Sequence, residues 1–392
     1  MNRPRRMLLL TFLESFATIC VERGVYFFAR DKLGFTRADN LWLALAFGVA
    51  YAAGALCSHR ISLRLKEKRL LVGALCLQFA GHVFLVGFSG VPVVLFAFST
   101  LLGLVNGMKW PVVESYVSAG QDVSDTAKAV GRFNVAWAAS VPLALAAAGP
   151  LIDHWPAGLF LAPAVLNLCA LWLARPLRLS PVHLPQDHPA RPTPEKLRRW
   201  KSLLTASRWM MLASYSALWV LAALMPRVFD DLKCGVSAGA ALSGLLDAMR
   251  LLAFLVLGAT AVWHGRPGMI VAAMIVLPGA FFLILFGGSL PTVLAGEVLF
   301  GFAAGVIYYG ALYYAMVVAN ASVDAGGTHE GLIGAGFALG PAAGLAGVAL
   351  AGALGNETAG MLLGIGPLFA VAAVAAAVAL CKIHPPTAGE KP

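Results

Sequence analysis

The 392-residue chain has little charge. Asp, Glu, Lys and Arg make up 12% of it, about half of the roughly 25% typical of a soluble domain. A globule with so few charges would not stay in solution, and the mean hydropathy of +0.79 points instead to a polytopic membrane protein. Cysteine is also sparse, at six residues. Cys20, Cys57, Cys76, Cys169 and Cys381 fall in or beside apolar runs and Cys234 stands alone, so neither a disulfide framework nor a metal-ligand spacing is present. No P-loop occurs, which excludes direct use of ATP. "HEGLIG" at 329–334 has Ile333 where a zinc-protease helix needs its second His. Gly334, Gly336 and Gly340 follow no strand, so they are not a nucleotide loop. Neither cofactor nor metal is expected, and no enzyme.

What is present is long apolar runs. Twelve have membrane-spanning length, at 7–28, 41–57, 70–88, 93–117, 133–152, 157–174, 208–226, 239–263, 268–288, 292–318, 331–354 and 361–381, since about 20 residues at 1.5 Å rise cross a ~30 Å core. "MNRPRR" before the first run suggests a signal peptide, but Glu14 interrupts the apolar region and no small-residue cleavage site follows.

The net charge of +10 is distributed as topology rather than as a nucleic-acid footprint. With the N-terminus inside, 21 of the 29 Lys and Arg fall in cytoplasmic segments, five in outer loops and three within spans. That asymmetry orients both termini to the cytoplasm. The expected partners are the lipid bilayer and a small-molecule substrate, with no nucleic acid, in a monomer at the plasma (inner) membrane.

Residues 175–207 break the pattern, with six prolines between 176 and 194, a density that favours an extended linker. The following "EKLRRWKSLL" reads as a short helix on the inner membrane surface. The linker divides a six-helix bundle (1–174) from a second (208–382), followed by a tail at 383–392. The two halves echo each other. "GLVNG" in span 4 and "GFAAG" in span 10 align Gly103 with Gly301 and Gly107 with Gly305, and "AAGP" and "ALGP" align Gly149 with Gly340. Glycines four apart allow close helix packing.

Twelve spans in two pseudo-symmetric six-helix bundles, joined by a basic linker, resemble the major facilitator superfamily over essentially the whole chain. The family's loop motif between spans 2 and 3 is degenerate here: "GALCSHRISLR" keeps Gly54 but has Ser58 and His59 where Asp and Arg are usual. The Gly-Pro ending of the span-5 motif is kept at Gly149–Pro150. The resemblance implies that spans 1, 4, 7 and 10 line a central cavity, with 2, 5, 8 and 11 beside them.

Eight charged residues lie inside spans: Glu14, Glu22, Arg23, Lys109, Glu114, Asp247, Arg250 and Glu297. At about 2.5–3.5 kcal/mol each, lipid exposure of all eight would cost about 20–28 kcal/mol, more than the ~5–15 kcal/mol that holds a fold together. They must face protein or water. Spans 3, 6, 9 and 12 carry no charged residue, consistent with a peripheral place. Glu14, Thr18, Glu22 and Tyr26 form one stripe, and Asp247 and Arg250, three apart, can pair on one face. His82 reads as a packing histidine.

"ERGVYFF" (Glu22, Arg23, Tyr26), "GMKWP" (Lys109, Pro111) and "GEVLFG" (Glu297) are similar to motifs of proton-coupled oligopeptide transporters. Ile19 stands where that branch has its first Glu, Gly24 where it has Phe, and Trp110 separates Lys from Pro. The resemblance implies proton coupling through Glu22, Arg23 and Glu297. Candidate substrate-binding residues are Lys109, Glu114, Asn134, Trp137, Tyr215, Trp219, Asp247, Arg250, Tyr308 and Tyr309. Tyr313 and Tyr314 suit either a cavity or a membrane interface. For the adjacent Glu22 and Arg23, the expected partners are Lys109 for Glu22 and Glu297 for Arg23. The reading is a secondary active transporter of a small organic solute, working by alternating access with proton coupling. Its rivals are an uncoupled facilitator or drug-type exporter, a polytopic membrane enzyme acting on lipid, and a non-transporting receptor.

Overall fold

A computed structural model describes residues 3–118, 123–182, 194–318 and 323–383. The proline-rich middle of the linker and all but the first residue of the tail lie outside these. Among the described residues the chain forms fourteen α-helices and no strand. The first seven are α1 (Arg3–Glu22), α2 (Gly24–Leu33), α3 (Arg37–Leu65), α4 (Glu67–Phe88), α5 (Pro92–Ser118), α6 (Val123–His154) and α7 (Gly158–Ala174). The rest are α8 (Pro194–Asp231), α9 (Val236–Leu242), α10 (Leu245–Gly258), α11 (Gly268–Phe286), α12 (Leu290–Val318), α13 (Val323–Leu354) and α14 (Glu357–Cys381). By length and composition ten spans could cross a membrane, one of them α9 and α10 together. The shorter apolar α7 and the rod formed by α1 and α2 complete the expected twelve.

Local chemistry sets the breaks. At Arg23 the first rod is interrupted for one residue, just before Gly24. Gly34, at φ 68°, ends α2 in the left-handed conformation that glycine tolerates. A capping box starts α3: the Thr36 hydroxyl accepts from the Asp39 N–H at 3.2 Å, and the Asp39 carboxylate accepts from the Thr36 N–H at 2.8 Å. The "EKLRRWKSLL" segment is not a separate surface helix. It is the first turns of α8, continuous with span 7, because no Gly or Pro interrupts the chain between Glu195 and Met225. Trp200 and Leu203 are buried rather than laid on lipid.

The repeated glycines make equivalent contacts. A Cβ on Gly103 or Gly107 would lie 2.4 Å from the Phe47 carbonyl oxygen or 2.1 Å from that of Tyr51, so α5 rides directly on the α3 backbone. On Gly301 it would lie 2.0 Å from the Leu246 oxygen, and on Gly305 3.0 Å from the Arg250 oxygen, so α12 rides on α10 in the same way. The other aligned pair differs: Gly149 abuts Ser237 on α9, whereas Gly340 abuts Ser216 on α8.

Segments that charge counting assigns to one side meet in space. Arg30 pairs with Asp230 at 3.0 Å and Arg37 with Asp231 at 3.6 Å; Arg37 also pairs with Glu357. At the opposite end, Tyr116 donates to the Arg178 carbonyl at 2.6 Å, and Arg199 to that of Gly265 at 2.9 Å.

Candidate functional site

The stripe on α1 meets α5 running antiparallel, and this register decides its partners. Asn106, nearer the start of α5, donates to Glu22 at 3.5 Å. Lys109, almost a turn further along, therefore meets α1 further back. Its ammonium donates to Glu14 at 2.8 Å, to Gln78 at 3.1 Å and to Thr18 at 3.4 Å. The expected Glu22–Lys109 contact is thus replaced by Glu14–Lys109. Glu14 also accepts from Asn167 at 3.0 Å, and Asn167 meets His82 at 2.9 Å. Gln78 donates to Asn106 at 2.7 Å, which closes a buried polar chain from His82 to Glu22. Lys109 and Glu14 are both fully buried, and their attraction offsets the desolvation of each.

Arg23 turns the other way, into the middle of the molecule. It binds Asp247 at 3.0 Å, not Glu297 as expected, because α10 presents Asp247 directly opposite the break between α1 and α2. Glu297 is within electrostatic reach of Arg23 and Asp247 but forms no ion pair among the described residues. Asp247 also accepts from Arg250 at 2.9 Å, the pairing their spacing predicts. Two guanidiniums therefore share one carboxylate. Arg250 donates further to the Tyr215 hydroxyl at 2.8 Å, and its guanidinium lies over Trp137, Tyr215 and Tyr308 at 4.9, 5.4 and 5.9 Å.

These groups line a central cavity of about 90 Å³, contracted relative to the ~300–1,000 Å³ of a typical ligand site. Of the candidates, Glu22, Arg23, Trp137, Tyr215, Trp219, Asp247, Arg250 and Tyr308 line it. Lys109, Glu114, Asn134, Glu297 and Tyr309 are not among its lining residues. Asn134 accepts from Trp137 at 3.3 Å and so acts behind that ring. Tyr309 closes on Gly131, where a Cβ would lie 2.7 Å from its hydroxyl oxygen. Tyr313 and Tyr314 are buried beside Trp200 and Trp263, so they are not interfacial anchors.

Sequence reasoning missed Tyr51, Glu330 and Phe337, which also line the cavity. Tyr51 donates to the Glu330 carboxylate, and Phe337 stacks on Trp219 with centroids 3.6 Å apart. Glu330 escaped notice because the expected span runs 331–354 while α13 begins at Val323. A helix extended back over "DAGGTHEG" would have exposed it.

A bundle of membrane-length helices around one buried, charged and aromatic cavity is the architecture of a membrane transporter. The chain belongs to the Major Facilitator Superfamily, whose model matches residues 7–328. A search of curated protein sequences finds no match. Among solved structures, the human organic anion transporter MFSD10 (TETRAN) is similar at a TM-score of 0.64 and 15% identity, over 96% of this chain and 100% of that one. A bacterial homolog of the human lysosomal transporter Spinster, in an inward-facing and unoccupied conformation, is similar at 0.61 and 15%, over 97% of this chain and 95% of that one. At such identities the likeness concerns the fold.

Proposed function

We propose that this protein is a proton-coupled secondary active transporter of a small organic anion. It works by alternating access between the bundles 1–174 and 208–382 about the linker 175–207. It acts as a monomer in the plasma membrane, with both termini cytoplasmic. One observation carries the substrate class: Arg23 and Arg250 line the cavity and share the single carboxylate of Asp247. That triad has an excess positive charge out of water, and the Arg250 Nε has no partner among the described residues. A planar fork with an unused donor suits a carboxylate or a similar oxyanion.

Glu22 supports the coupling. It lines the same cavity and makes no ion pair among the described residues. Arg23, Lys109, Asp247 and Glu330 act on it electrostatically, and Asn106 is its hydrogen-bond donor. A proton taken up there with each anion would make the step electroneutral. The test begins by finding a substrate among small carboxylates through stabilisation of the purified protein. In proteoliposomes, Glu22→Gln should then lose accumulation driven by a pH gradient yet retain exchange of labelled for unlabelled substrate. A Gln variant that accumulates like the parent, with unchanged pH dependence, removes proton coupling at Glu22. A library in which only cations bind removes the anion assignment.

A further inference from the structure

We infer that Glu114, His329 and Glu330 form a binding site for one divalent transition-metal ion held between α5 and α13. One ligating atom from each of the three residues lies within 4.8 Å of the others. Their exposures are 1%, 0% and 4%, so this is no solvated acidic patch. A second observation points to a ligand. Both His329 ring nitrogens are buried with no hydrogen-bond partner among the described residues, and the buried Glu114 carboxyl has only the Glu330 carboxyl beside it as a partner. Buried polar atoms are nearly always satisfied, and an unpartnered imidazole beside two facing carboxyls asks for a common explanation. Neither carboxylate forms a salt bridge with a Lys or Arg among the described residues. Two carboxylates this close repel unless something positive lies between them. A divalent ion neutralises the pair and gives the imidazole nitrogen an acceptor at the same time.

The donor set selects the ion class. One imidazole and two carboxylates suit Zn²⁺, Mn²⁺ or Co²⁺; the absence of thiolate disfavours Cu(I), and the nitrogen donor disfavours Mg²⁺ and Ca²⁺. Ligand atoms around a zinc-sized ion sit ~3.4 Å apart, given bonds of ~2.1 Å at tetrahedral angles. The observed spread therefore closes with a shift of about an ångström. Tyr51 donates to Glu330 and would hold that carboxylate from behind, as outer partners of metal ligands do. Glu330 also lines the central cavity, so a fourth coordination position opens toward it. The ligands come from helices far apart in sequence, which is why no local spacing revealed them. Because α5 and α13 each contribute, the ion would tie those two helices together in this conformation.

The test uses the full-length protein in detergent, stripped with chelator and titrated with ZnCl₂, MnCl₂ or MgCl₂. Zn²⁺ or Mn²⁺ should raise the unfolding midpoint by several degrees with saturation, and Mg²⁺ should not. Glu114→Gln and His329→Gln should each weaken the titration at least tenfold, whereas His154→Gln, a control outside the cluster, should leave it unchanged. Equilibrium dialysis of the unsubstituted protein should retain one Zn²⁺ per chain, and this readout stands even if a variant fails to fold. Fewer than one ion retained, or titrations equal in all variants, overturns the site. So does a midpoint that responds to pH but to no metal, since that result means the two carboxyls share a proton instead.

Discussion

The charged residues inside the spans fall into two groups with different work. Glu14 and Lys109 are locked together at 2.8 Å away from the cavity, while Arg23, Asp247 and Arg250 line it. Lys109→Ala leaves Glu14 buried and unpaired, which costs roughly 3–5 kcal/mol when one partner of a buried pair is removed. The variant should therefore unfold at a clearly lower temperature in a thermal scan, and adding Glu14→Gln should recover part of the loss. An unchanged midpoint for Lys109→Ala would show that the pair contributes nothing to stability. That charges lie inside was legible in the sequence, because Glu22 and Arg23 interrupt an apolar run. Which charge meets which was not. Partner choice depends on the register of α1 against α5, and hydropathy contains no term for it. Glu330 and His329 were hidden differently, since they stand in the polar first turns of a helix whose apolar run begins later.

At the scale of elements, the glycine pattern was the most legible feature. The alignment of Gly103 with Gly301 and Gly107 with Gly305 predicted paired helix contacts, and α5 on α3 repeats as α12 on α10. Gly301→Val forces a side chain into the Leu246 carbonyl, 2.0 Å from the new Cβ. Overpacking of this kind costs ~1–3 kcal/mol or more, so the variant should lose its monodisperse peak in detergent. Gly366→Ala, with nothing within 4 Å, should keep the parental profile. Equal behaviour of the two would mean that α12 does not depend on this contact. Helix ends were less legible. The basic, Trp-containing stretch before span 7 has the composition of a surface helix, but its continuity with α8 and the aromatic neighbours of Trp200 bury it.

For the whole molecule, the number of spans followed from apolar length, and the clustering of 29–40 with 227–238 agrees with the side that charge counting gives them. Orientation in a membrane is a separate matter with its own measurement. Cys234 follows α8 at the end of the molecule that bears the Arg30–Asp230 pair. A variant retaining Cys234 as its single cysteine should react with an impermeant maleimide in intact cells. Labelling that needs a permeabilised membrane would reverse the orientation.

The two ends of the bundle are fastened by unlike forces. One end is held by half-exposed ion pairs, Arg30–Asp230 and Arg37 with Asp231 and Glu357. At the other end the described contacts include close-packed ones, with Tyr309 against Gly131 and Gly334 against the Ala52 backbone, beside the Tyr116 and Arg199 hydrogen bonds. Dissolved salt acts on the exposed ion pairs and not on the close-packed contacts. The screening length falls from ~10 Å at 0.1 M to ~3 Å at 1 M, and exposed pairs worth ~0–1 kcal/mol each weaken with it, while close-packed carbon does not respond. Higher ionic strength should therefore loosen the ion-paired end before it affects the close-packed contacts.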